Sequence, residues 1–258
     1  MSAIVARIRR LARAAIIRRA RDVTAESAGR SALVIAPHPD DETLGCGATI
    51  LRRRATGMSV MIVIVTDGRH SHRSTAMSPD ELAEIRRDEM RVAAERLGLE
   101  AGAVRWLDIE DGTVAVHEDR LVGLLGDLID EFQPDDVFAT CADEPHPDHA
   151  AVGRAARRAV AGARTCALFE YPVWMWRSWP LQPGHRLGSL VDAVAAVLGR
   201  RAVVVEAADF VSTKLHALDA HRSQVARPSW VSDGEHWDVL PQAVMEAAGE
   251  PVEVFFRR

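Results

Sequence analysis

"SALVIAPHPDDETLGCGATILRRRATGMSVMIVIVTDG", residues 31–68, decides the fold. Ser31 to Ala36 is almost wholly apolar, as a strand buried on both faces must be. Pro37 and Pro39 then bracket His38; proline offers no amide N–H to a sheet ladder and pushes the residue before it out of the α region. Glu42 to Thr56 follows as a helix that ends at Gly57. Ser59 to Val65, "SVMIVIV", is a second continuous apolar run. Strand, helix and strand at this spacing make a βαβ unit and hence two parallel neighbours.

The alternation continues outward. A helix is expected over Pro79 to Leu97 with Ser78 as its cap, then a strand near Val104 to Leu107. A helix from about Glu118 to Phe132, a strand Asp136 to Thr140, a helix from about Pro147 to Ala161 and a strand Thr165 to Phe169 extend the series. Beyond "EYPVWMWRSWPLQPGH" it loosens into a strand at Ala202 to Val205, a helix at about Asp209 to His221 and a last strand near Glu253 to Phe256. The expected fold is α/β: a Rossmann-like, mostly parallel sheet with helices on both faces, in one domain with a smaller C-terminal elaboration.

Composition narrows the partners. Of 258 residues, 48% are hydrophobic and 27% charged, as in an ordinary folded domain. A net charge of -5 gives no basic surplus, so nucleic acid is not the expected partner. The three cysteines, Cys46, Cys141 and Cys166, form no CxxC pair, which suits a reducing cytoplasm and neither a disulfide framework nor a thiolate zinc site. No apolar run reaches the length that spans a bilayer. Residues 1–30 hold eight arginines against Asp22 and Glu26, with Ile4, Ile8, Leu11, Ala15 and Ile16 on one helical face. This basic extension, joined by a polar linker "TAESAGR" to a domain over 31–258, packs on that domain in the simpler reading. Peripheral contact with the inner membrane surface is the alternative.

In parallel sheets, ligands sit outside the carboxyl ends of the strands. His38, Asp40 and Asp41 stand at one such end. An aspartate before a helix is commonly just a cap, but "DEPHPDHA" repeats the theme at the end of another strand, with His146, Pro147, Asp148 and His149. Two such turns converging on one cleft supply the imidazole and carboxylate donors of a catalytic zinc site; iron(II) and manganese accept the same set. His38, Asp41 and one histidine of the second motif would be the ligands, leaving Asp40 as general base for a water and the other histidine as acid or oxyanion stabiliser.

The paired motifs resemble those of the PIG-L (LmbE-like) family of zinc-dependent N-deacetylases. The likeness spans most of residues 31–170, including "TDGR", "RRDEMRVAAERLG" and "DIEDG", and extends to "EYPVW", "KLHALDAHRSQ" and "EVFF". It implies zinc ligands His38, Asp41 and His149, general base Asp40, His146 at the reacting centre and Asp148 orienting a neighbouring histidine. It also places Arg86 and Asp111 where relatives meet sugar hydroxyls, although a solvated arginine and an Asp-Gly turn former would look the same in sequence. Some relatives carry a tyrosine just before the second motif; here Glu144 is nearby instead.

The activity so implied is removal of an N-acetyl group from a GlcNAc-type acetamido sugar of a small molecule or glycoconjugate. The alternatives are an amidase acting on a sugar-linked thiol conjugate or another N-acyl group, and a non-catalytic, metal-binding or membrane-associated relative. A homo-oligomer stays open. Tyr171, Trp174, Trp176 and Trp179 either cover an apolar edge or subunit contact, or stack on sugar. His70 and His72 are expected to line the loop or the substrate, and Gly45-Cys46-Gly47 lacks the glycine spacing of a dinucleotide site.

Overall fold

The computed structural model describes residues 3–72, 77–163, 166–179, 201–231 and 234–258. Eight strands form one sheet: β1 (Arg21–Asp22), β2 (Ala32–Ala36), β3 (Val60–Ile64), β4 (Val104–Trp106), β5 (Asp136–Thr140), β6 (Ala167–Tyr171), β7 (Ala202–Glu206) and β8 (Val252–Arg257). Their order is β1-β7-β8-β6-β5-β2-β3-β4. Every pairing is parallel except those of β8 with β6 and β7. The chain runs outward through β3 and β4 on one side of β2 and through β5 and β6 on the other. Strand order therefore reverses between β2 and β5, which opens a crevice at their carboxyl ends.

The β2 side chains alternate between two cores, as the period of a strand requires. Ala32, Val34 and Ala36 join Leu44, Cys46 and Ile50 of helix α3 (Asp41–Ala55) and Met90 of α4 (Pro79–Arg96). Leu33 and Ile35 join Leu121, Leu125 and Ile129 of α5 (Glu118–Phe132) and Ala151, Val152 and Ala155 of α6 (Pro147–Gly162). Ser78 caps α4 in a reciprocal box with Glu81, as its position before Pro79 foretells.

Three sequence readings need correction. "TAESAGR" is not a linker: Thr24–Ala28 is the short helix α2, and the Asp22 carboxylate accepts the Thr24 N–H at its start (2.8 Å). In α1 (Ala3–Arg19) Leu11 is 61% exposed, while Ile16 is buried against Val204, Val254 and Phe256 with Ala12, Ile17 and Ala20 beside it. The Arg13–Glu250 ion pair and the Arg13 contact with the Trp176 ring select that rotation of the helix. The helix expected to end at His221 stops at Leu218, and a separate turn, Arg222–Val225, begins after His221. With α7 (Met175–Ser178) before them, these are α8 (Val211–Leu218) and α9 (Arg222–Val225). A further helix, α10 (Gln242–Ala248), had no clear sequence signal. The side chain of Ile4, residues Arg73 and Ser74 of "RHSHRS", Thr165, and "PLQPGH" lie outside the described residues. No described helix is long and apolar enough to cross a membrane.

Candidate metal centre and its cleft

The two His-Pro-Asp turns meet at the crevice. The first leaves β2 at Ala36 and enters α3 at Asp41, with Asp40 held at φ 123°, a backbone angle that side chains other than glycine rarely adopt. In the second, Pro147 opens α6, where a missing N–H costs nothing, and Asp148 and His149 occupy its first turn. Gly153 lets that helix lie directly on the end of β5, because a Cβ there would come within 2.5 Å of Thr140 O and Ala142 N. Thr140 Oγ1 donates to His149 O (2.8 Å) and pins the same turn.

Three donor atoms then face one another: His38 Nδ1 to His149 Nε2 is 3.2 Å, His149 Nε2 to Asp41 Oδ2 is 3.2 Å, and His38 Nδ1 to Asp41 Oδ2 is 3.4 Å. A tetrahedral ion with zinc-to-ligand bonds near 2.0–2.1 Å has ligand atoms about 3.3 Å apart. The triangle fits such an ion. Asp41 and His149 are buried and His38 nearly so, which holds the three donors toward one another at the floor of the cleft. Charge supports the same fit. Burial disfavours a proton on His38, yet Asp111, Asp148 and Asp41 together hold its pKa well above the ordinary value. These carboxylates call for a positive charge, which a proton or a metal ion can supply. Burial, then His38 and His146, keep His149 well below its usual range and so neutral, the form a ligand needs. A second grouping of His38, His146 and Asp148 shares His38, but its Nε2 is already turned to Asp111 (3.2 Å) and Asp148 (3.5 Å).

Around the triangle, Asp40 is buried at 4% exposure with its carboxyl pushed well up, first by burial and then by Asp41, with Arg86 opposing. Asp148 ties the 112–114 loop to the centre by accepting the N–H groups of Gly112 (2.8 Å) and Val114 (3.2 Å). Asp111 is no mere turn former, since one oxygen faces His38 and the other accepts the His70 N–H (2.8 Å). Nor is Arg86 solvated: it is 2% exposed, donates to Gly68 O (2.9 Å) and lines the cleft. His146 stands edge-on to His38 with ring centres 5.1 Å apart. Burial, then the His38 charge, lowers its pKa. Glu144 lies buried behind the site, accepting from Val173 (2.6 Å) and Met175 (3.0 Å).

The centre opens into a cleft of about 650 Å³ that also exposes His70, His72, Trp174, Arg177 and Gln224. The aromatic cluster divides. Tyr171 is buried and donates its hydroxyl to Ile35 O (2.8 Å), Trp179 packs in the core beside α1, and Trp174 faces the cleft. His72 stacks on Trp237 at 3.9 Å in the cleft wall. The glycine of "GCG" at position 45 serves packing: a Cβ would strike the Tyr171 ring.

Comparison with known proteins gives the family. Residues 33–160 match PIG-L, described as GlcNAc-PI de-N-acetylase. A probable N-acetyl-alpha-D-glucosaminyl L-malate deacetylase 2 from Bacillus cereus is 31% identical over 206 residues, spanning 76% of this chain and 84% of its own. The chain belongs to the PIG-L family. A 1D-myo-inositol 2-acetamido-2-deoxy-alpha-D-glucopyranoside deacetylase from Mycolicibacterium vanbaalenii is 32% identical over 235 residues, covering 75% of this chain and 80% of its own. Among solved structures, the N,N'-diacetylchitobiose deacetylase from Pyrococcus horikoshii shares the fold with a TM-score of 0.62 at 24% identity, covering 88% of this chain and 83% of that one.

In this PIG-L chain, the residues brought together at the crevice include all eight singled out in the sequence. Trp174, open in the sequence between an apolar edge and a sugar face, lines the cleft, and Arg177 and Gln224 join it with no role read for either from the sequence. "HRSQ" stood out only as part of a family-like stretch, because nothing in its own neighbourhood shows what lies against it.

Proposed function

We propose that this protein is a metal-dependent hydrolase that removes the N-acetyl group from a GlcNAc-type acetamido sugar of a glycoconjugate. The observation that carries the reading is the triangle of His38 Nδ1, Asp41 Oδ2 and His149 Nε2 with buried Asp40 on the same turn, open to a cleft. Both curated relatives named above carry deacetylase names for acetamido-sugar conjugates, which supports the substrate class. His38, Asp41 and His149 would hold the ion, zinc first and iron(II) or manganese as the alternatives. When bound, it supplies Lewis acidity toward the acetamide and the attacking water.

The chain's own groups do the rest. Asp40 takes a proton from the attacking water, and the burial that raises its pKa makes its carboxylate a stronger proton acceptor. His146 presents an imidazole N–H to the negative charge developing on the acetamide oxygen and assists protonation of the departing nitrogen. Asp148 and Asp111 hold His38 from its far side. Arg86 and Asp111 face the sugar hydroxyls, and Trp174 offers an apolar wall for a ring. Acetate and a free amine leave. Residues 31–258 carry this activity and residues 1–30 are an extension to them.

The test is acetate release by zinc-loaded protein from N-acetyl-α-D-glucosaminyl L-malate, 1D-myo-inositol 2-acetamido-2-deoxy-α-D-glucopyranoside and N,N'-diacetylchitobiose. Asp40→Asn and a chelated sample run beside it. Release that depends on both metal and Asp40 is expected. Silence from metal-bound protein across the panel would overturn the acetyl-sugar reading.

A further inference from the structure

The backbone of Asp40 raises a problem that the centre itself does not solve. Its φ of 123° and ψ of -29° lie where a side chain is strained, and such a conformation persists only when its surroundings over-determine it. The peptide joining Pro39 to Asp40 is gripped at both ends. Its carbonyl accepts a hydrogen bond from Gln224 Nε2 at 2.5 Å. Only an amide N–H can meet a carbonyl, which settles the orientation of the Gln224 side chain. Its N–H donates to Glu42 Oε2 at 3.0 Å. The other oxygen of Glu42 accepts from Thr43 Oγ1 and faces His221 Nε2 at 3.6 Å. Glu42 and His221 are fully buried and Gln224 is 7% exposed.

His221 and Gln224 belong to one turn, and that turn is anchored from elsewhere. Glu89 of α4 accepts both the N–H and the hydroxyl of Ser223 (2.7 Å each). Trp237 Nε1 donates to Ser223 O (2.8 Å), and Leu240 N–H to Gln224 O (2.9 Å). A rigid element about 180 residues further along the chain thus presses on the one peptide whose orientation aims the Asp40 carboxylate. Of these residues, Gln224 and Leu240 also line the cleft, while Glu42, Glu89, His221 and Ser223 do not.

We infer that "HRSQ", His221 to Gln224, is a positioning clamp that holds the Pro39–Asp40 peptide in its strained orientation and so fixes the general base. Released from Gln224, the peptide rotates toward an ordinary φ and the carboxylate swings away from the water it serves. The inference rests on Asp40 being the general base, and the experiment separates the two claims.

Kinetically, the variant is Gln224→Met, of similar size but without a donor, in wild-type and Asp40→Asn backgrounds, with metal content measured in all four proteins. Loss of the clamp lowers kcat by about 10²-fold in the wild-type background, with KM and metal content little changed. It costs nothing further in the Asp40→Asn background, because there is no longer a base to aim. Losses that multiply across the two backgrounds would overturn the clamp while leaving Asp40 as base. Asp40→Asn at near wild-type rate would remove both.

A second arm needs no substrate. Glycine accepts φ 123° and alanine does not, so Asp40→Gly should melt at least about 2 °C above Asp40→Ala. On the Gln224→Met background that gap closes, since the freed peptide relaxes whichever residue it carries. A gap of the same size on both backgrounds means that Gln224 does not hold the strain, and the inference falls.

Discussion

The two ends of β2 and β5 both bury charge, and they do so in opposite ways. At the amino ends, Asp136 is 1% exposed and meets Arg53 Nη2 at 2.6 Å and Arg30 Nε at 3.0 Å, while Arg53 also donates to the carbonyls of Arg30 and Ser31. Cation and anion face each other and the chain supplies both. At the carboxyl ends, four aspartates crowd a small set of imidazoles, two ring nitrogens point at each other across 3.2 Å, and Arg86 lies buried in the cleft wall beside them. A buried cluster that answers its own charges holds a fold together; one that leaves donors converging on a point needs something the chain does not contain. The same strands thus carry a strut at one end and a chemical site at the other.

The sharpest way to break that contrast is Asp40→Asn, which keeps shape and removes the proton acceptor. Acetate release should fall by about 10²–10⁴-fold while bound metal stays at the wild-type level. Asp136→Ala is the reciprocal variant. It leaves Arg53 buried beside no anion and should cost about 3–5 kcal/mol in urea unfolding, with the rate per folded molecule unchanged. If instead Asp136→Ala lowered the turnover of folded protein, the two ends would not be separable as strut and site.

Metal binding sharpens the comparison from the other side. Zinc added to chelator-stripped protein at a hundredfold excess over its dissociation constant should raise stability by about 2.7 kcal/mol, read as a rise in melting temperature. His149→Ala should abolish that rise, while Asp136→Ala, though less stable, should keep it.

A pH effect concerns Glu144, behind the site, which burial pushes up to about 8 from an ordinary 4.5, although it accepts backbone N–H groups. Across that interval the folded chain keeps a proton that the unfolded chain has lost, so this carboxyl makes stability fall as pH rises from 4.5 to 8. Glu144→Gln should flatten the slope of melting temperature over that window. An unchanged slope would mean that the backbone donors keep Glu144 ionised.

Legibility followed from how local each cause was. Residues 31–68 disclosed their strand, helix and strand because apolar runs, prolines and Gly57 act on their nearest neighbours. α5 and β5 fell within the expected bounds for the same reason. The rotation of α1 is not legible in sequence because Leu11 and Ile17 are equally apolar, and the choice between them comes from Glu250 and Trp176, far along the chain. The aromatic stretch could not be divided by composition, since Tyr171 and Trp174 differ only in which side of the β6 end they meet.

By itself, the sequence determined the βαβ alternation, the mostly parallel sheet and the two His-Pro-Asp turns, since strand burial, helix period and proline stiffness are properties of short stretches of chain. Only the tertiary structure decided that the two turns close to 3.2 Å, that Asp111 and Asp148 stand behind His38, and that Gln224 grips the peptide of Asp40. Those contacts join residues up to about 180 positions apart, and no local preference specifies a partner at that distance; packing of the whole sheet and its helices does.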